Sequence, residues 1–216
     1  SDKISHKLEL AAHEKPFLDM LWQWQTYRRE IYNMVKIFRT IDNNVHQINE
    51  AQEGSWIALI DPTATEIVEI AEKYDIDVDH LRAPLEAEDN YTLILVDIPM
   101  IEERNDKEWY GTIPMGIVVT DDKIFTVCLE DTPVLSSFMD GRVRNFFTYK
   151  RTRFILQILY RNASLYLHYL RIIDKKSDEV EQKLHKSQRN QELIELLELQ
   201  KSLVYFTTSL RSNEVV

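Results

Sequence analysis

The stretch Ile113–Cys128, IPMGIVVTDDKIFTVC, decides how the rest of the chain is read. Two runs of β-branched and aromatic residues flank Asp121-Asp122, a pair suited to a tight reversal, so the stretch reads as two strands joined by a turn. Just upstream, Tyr91–Ile101 has the same texture, and the polar segment Glu103–Lys107 separates it from Glu108–Thr120. Together the three runs predict an antiparallel meander. Cys128 falls inside the last strand and reads as a small buried hydrophobe.

Further upstream, Ser55–Ile60 is a continuous apolar run of the kind found in buried strands. Asp61-Pro62-Thr63 ends it and opens a helix to about Tyr74, with Asp61 or Thr63 as the cap and Pro62 in the first turn. Ile67, Ile70, Ala71 and Tyr74 form its apolar face, and Glu66, Glu69 and Glu72 are expected on the opposite, solvated one. Val35–Ile41 alternates as a strand, and Asp42-Asn43-Asn44 turns it back into Val45–Ile48. Residues 1–33 read as an N-terminal extension, with Met34 as the expected native start; an ordinary N-terminal helix is the alternative. A short helical turn is expected around Val78–Leu85.

Downstream, Thr132-Pro133 opens a helix that closes near Asp140-Gly141. After Thr148 the apolar period changes to three or four residues and stays there. This predicts one helix of nearly 40 residues, roughly 60 Å long at 1.5 Å per residue. Ser187–Asn190 reverses it into a second helix carrying Leu193, Leu196, Leu197, Leu203 and Leu210. Such lengths call for coiled-coil-like packing on other helices. The fold class is therefore α/β: a mixed, partly antiparallel sheet sandwiched by helices over residues 34–147, then a long helical stalk or hairpin over 148–216.

Composition narrows the function. The 216 residues carry a formal charge of −10, which disfavours a nucleic-acid partner. Residues 1–147 hold 14 basic and 28 acidic side chains, whereas 148–216 hold 12 and 8, so an acidic body is joined to a mildly basic helical part. Four glycines leave no material for a phosphate-binding loop. No run of ~18–20 apolar residues is present that would cross a bilayer. The six histidines are scattered without zinc spacing, and no nucleophile elbow or distinct carboxylate dyad emerges. An enzyme is not expected. The acidic clusters are the better lead: Asp75, Asp77 and Asp79 beside His80, then Glu86, Glu88 and Asp89. Hard divalent cations take such oxygen ligands, although the glycine and terminal glutamate of a calcium loop are missing. A solvated acidic surface is the plainer reading of the same residues.

Three segments, Trp56–Pro62, Glu88–Leu95 and above all Ile113–Cys128, resemble the cytosolic domain of CorA-type magnesium transporters. The long helix with Tyr166-Leu167-His168-Tyr169-Leu170 is similar too. The resemblance implies a homopentamer in the cytoplasmic membrane, two C-terminal transmembrane helices with a Gly-Met-Asn signature, and a cytosolic domain that senses Mg2+ or another divalent cation such as Co2+ or Zn2+. Gly-Met-Asn does not occur in this sequence, and the chain is expected to stop short of the spans, on the cytoplasmic side. Carried onto this sequence, the sensing ligands fall on Asp79, with Glu88 and Asp89 as neighbours. His80 stands where an aspartate is common, and no acid occupies Asn162–Ser164. A stand-alone cytosolic protein that oligomerises or binds a partner through its helical hairpin is the alternative. An acid-rich metal-dependent hydrolase is a third, without a pocket spacing to support it.

Overall fold

Alternating and continuous apolar runs build the six strands of one sheet. In the computed structural model, which describes residues 35–76, 92–104, 107–187 and 190–214, these are β1 (Val35–Ile41), β2 (Asn44–Ile48), β3 (Trp56–Ile60), β4 (Thr92–Arg104), β5 (Lys107–Val119) and β6 (Ile124–Cys128). Their spatial order is β2-β1-β3-β6-β5-β4. β1–β2 is a hairpin whose turn residues Asp42 and Asn43 both take positive φ, a conformation that Asp and Asn tolerate best among non-glycine residues. β4, β5 and β6 form the expected antiparallel meander. β3 and β6 pair in parallel at the centre, with Trp56 opposite Ile124 and Ile60 opposite Cys128. That pairing makes the sheet mixed and explains why every residue of β6 is buried.

Among the described residues four helices cover the sheet: α1 (Ala64–Tyr74), α2 (Pro133–Met139), α3 (Arg151–Ser187) and α4 (Asn190–Asn213). On one face α1 lays Ile67, Ile70 and Ala71 against Ile57, Leu59 and Phe125. Thr63 rather than Asp61 caps it. The Thr63 hydroxyl accepts from the Glu66 amide, and Glu66 reaches back to the Thr63 amide at 2.7 Å. This capping box draws Glu66 into a buried position, so the solvated acidic face keeps only Glu69 and Glu72 of the expected three. On the other face α2 and the first turns of α3 close the larger core around Trp56, whose ring meets Phe38, Phe138, Phe146 and Phe154. The Trp56 indole N–H donates to Thr126 Oγ1 at 2.9 Å, which satisfies the polar atom of a fully buried ring.

α3 is 37 residues long. Its N-terminal part packs on the sheet through Phe154 and Ile158. Its middle carries Tyr166, Tyr169 and Ile173 into a third cluster, with Tyr110 of β5 and Leu199 and Phe206 of α4. Thus the helices do pair as a hairpin, but the seam between them is shared with the sheet's β4–β5 edge. Leu156, Leu167, Leu197 and Val204 remain exposed on the helices' outer faces. Among the described residues no helix is long and apolar enough to cross a membrane.

Candidate functional site

The ligand candidates Asp79, Glu88 and Asp89, together with His80 and the expected helical turn at 78–85, lie outside the described residues. Their segment joins Ile76, buried behind α1, to Thr92 at the start of β4. Asp75 closes α1 in the left-handed conformation and is exposed. Among the described residues, no three His, Cys, Asp or Glu side chains gather as a metal set. Cys128 is buried, and burial pushes its thiol up, in keeping with its reading as a packing residue.

What the described structure does build is the junction between edge strand β4 and the helical hairpin. Asp97 sits opposite Pro114 in the β4–β5 ladder. Proline has no N–H to give, so the Asp97 main chain looks outward, toward the helices. There the Asn213 side chain behaves like one more strand: its Nδ2 donates to the Asp97 carbonyl at 2.8 Å and its Oδ1 accepts from the Asp97 amide at 2.8 Å. Asn162 Nδ2 of α3 donates to the same carbonyl at 2.9 Å, and Tyr166 adds its hydroxyl at 3.1 Å. Burial pushes the Tyr166 phenol up, so it remains a neutral donor. Ser209 of α4 donates to Thr112 of β5 at 2.9 Å. One outward residue of the edge strand, Asp97, therefore holds both long helices through its main chain.

Asn162 belongs to the region where the sequence resemblance leads one to look for an acid. It is buried at 3% exposure and committed to Asp97, which makes it a docking residue rather than a surface ligand. Neither Asn162 nor Asn213 is marked by any motif. Within the helices the only signal is an amide at a position where the helix presents its packed face.

Beside the junction lies an open cleft of about 570 Å³ between β4–β5 and the hairpin, bordered by Glu103, Glu108, Glu195 and Glu198 with Lys107 and Lys176. Glu108 is already engaged. It accepts from Lys176 Nζ at 2.5 Å and from the Tyr110 hydroxyl at 2.8 Å, and these bonds hold its carboxyl below the usual range. Burial pulls the Lys176 ammonium down, but its bonds to Glu108 and Tyr110 outweigh that, and the net shift is upward. Lys107 lies 3.8 Å from Glu198. These two pairs tie α3 and α4 to β5, and the open cleft attracts cations only diffusely.

Comparison with known proteins places this arrangement. The profile of the family described as CorA-like Mg2+ transporter protein matches residues 51–216. The chain belongs to this family. The CorA-like family is one of ion transporters, not enzymes. A curated relative, the cobalt/magnesium transport protein CorA of Methanocaldococcus jannaschii, is 24% identical over 178 residues. The match covers 74% of this chain and 53% of that protein, so the chain spans about half the length of its curated relative. Among solved structures, the soluble domain of CorA from Methanocaldococcus jannaschii superposes with a TM-score of 0.71 at 21% identity, over 84% of this chain and 76% of that one. The ZntB cytoplasmic domain from Vibrio parahaemolyticus does so with a TM-score of 0.62 at 13% identity, over 83% and 75%. The mixed sheet followed by long helices is thus the fold of a CorA-like soluble domain.

Proposed function

We propose that this chain is the cation-sensing part of a CorA-like divalent-cation transporter, held on the cytoplasmic side of the membrane in a homopentamer. The match of the family profile over residues 51–216 carries this reading. The cations are Mg2+ and, following the name of the curated relative, Co2+; Zn2+ is a further substrate of the same class. The charge distribution supports a sensing role. Residues 1–147 carry twice as many acidic as basic side chains, so neighbouring bodies repel when brought together. A hard cation taken up by carboxylates of Asp79, Glu88 and Asp89 neutralises that repulsion and favours the assembled arrangement. When the cation leaves, the repulsion returns and the population moves toward a looser state. The β4 junction gives such a change a route to the helices, because the Asp97 carbonyl binds both α3 and α4.

Isothermal titration of the chain with MgCl2 tests the reading. Saturable binding that is abolished by Asp79→Lys supports it. Heats no greater than those of dilution, or binding unaltered by the charge reversal, would remove the sensing role.

A further inference from the structure

One stretch of this acidic protein carries basic side chains and no acidic ones. Between Asp140 and Asp174 the chain carries seven Lys or Arg residues and no Asp or Glu, although its net charge is −10. Part of that charge lines a cleft of about 370 Å³ where the loop between α2 and α3 meets α3; its walls are Arg142, Val143, Arg144, Gln157, Tyr160 and Arg161.

The fold holds these groups deliberately in position. Gly141 turns the chain with a φ of +67°. Val143 and Phe146 then pack against the large core, which leaves Arg142 and Arg144 exposed on either side of Val143. Gln157 Nε2 donates to the Arg144 carbonyl at 3.2 Å and so ties the loop to the helix. Arg161 follows Gln157 by four residues and shares its helix face. Arg142 has a counter-charge in Asp140 at 2.6 Å. Arg144 and Arg161 form no salt bridge among the described residues, so two guanidinium groups border one cleft uncompensated. Tyr160 stands at the rim, 73% exposed.

From this combination we infer that the cleft binds a phosphate ester. The phosphate is held by the guanidinium forks of Arg144 and Arg161, which suit its oxygens and stay charged at every physiological pH. A soluble polyol phosphate and the headgroup of a phosphoglycerol lipid both offer this group. The site is separate from the segment proposed to sense cations and needs no divalent ion.

The test uses the chain in buffer containing EDTA, so that cation binding plays no part. Glycerol 3-phosphate is titrated calorimetrically, and flotation is measured with phosphatidylglycerol and with phosphatidylcholine vesicles. Arg144→Gln and Arg161→Gln are each expected to weaken binding at least about tenfold, the loss typical of one charge-assisted contact. Their thermal unfolding is expected to match the parent chain. Calorimetric binding that both variants lose assigns the site to a soluble ester. Flotation with phosphatidylglycerol alone, lost in both variants, assigns it to the lipid headgroup. Binding of neither, or binding that survives both substitutions, overturns the proposal.

Discussion

Replacing Asn213 by alanine isolates the junction that fastens the helical hairpin to the sheet. The substitution deletes two hydrogen bonds to the main chain of one residue, both at 2.8 Å. Each is worth about 1 kcal/mol net, so the docked state of the last turn of α4 loses about 2 kcal/mol. The two main-chain groups of Asp97 suffer differently. The Asp97 carbonyl keeps Asn162 and Tyr166 as donors, whereas the Asp97 amide loses the side-chain acceptor it had. A loss of about 2 kcal/mol is about 30-fold in an opening equilibrium. Amide hydrogen exchange read at Asp97 is therefore expected to show protection reduced by about that factor, with β6 unaffected. Tyr166→Phe serves as the contrast, because it removes one of three donors to a carbonyl that stays satisfied; its effect on the same amide is expected below about 1 kcal/mol. Protection at Asp97 unchanged in Asn213→Ala would refute the role given to this side chain.

Other outcomes follow from single contacts. Thr126→Val keeps the shape of the core but strands the indole N–H of Trp56, and urea denaturation should register a loss of about 1–3 kcal/mol. Thr63→Ala removes the cap of α1 and the anchor of Glu66, a loss of about 1 kcal/mol by the same assay. Gly54→Ala places a Cβ 2.9 Å from that of Tyr149 at a φ of +76°, so it should destabilise by more than about 1 kcal/mol. The folded-state pKa of Glu108 lies below its unfolded value, so its contribution is fully present above the ordinary carboxylate range and fades as pH falls through the depressed value. The stability difference between the parent chain and Glu108→Gln is therefore expected to be flat above about pH 6 and to shrink on acidification below about pH 4. A difference that instead grew on acidification would contradict the ion pair with Lys176.

The meander was legible because its strands carry their own signal, alternating or continuous apolar runs broken at Asp121-Asp122. The length of α3 was legible for the same kind of reason, a sustained apolar period without Pro or Gly. Glu66 was misplaced on the solvated face because helix periodicity alone puts it there; the spacing Thr63-x-x-Glu66 already held the capping box that draws it inward. The junction was not legible. Asn162 and Asn213 serve a strand peptide 65 and 116 residues away, and a side chain that binds main chain leaves no complementary residue to find. Pro114 opposite Asp97 was the one local hint, since it marks a rung where the neighbouring main chain must look elsewhere. The acidic residues at 79, 88 and 89 were singled out through chemistry and family resemblance, and they remain a proposal about how the chain works.

Hydrogen exchange of residues 77–91, compared between Mg2+-saturated and EDTA-treated protein, tests the sensing role most directly. The account expects Mg2+ to slow exchange in this segment, with the effect lost in Asp79→Lys. Exchange that is the same with and without Mg2+ would contradict it.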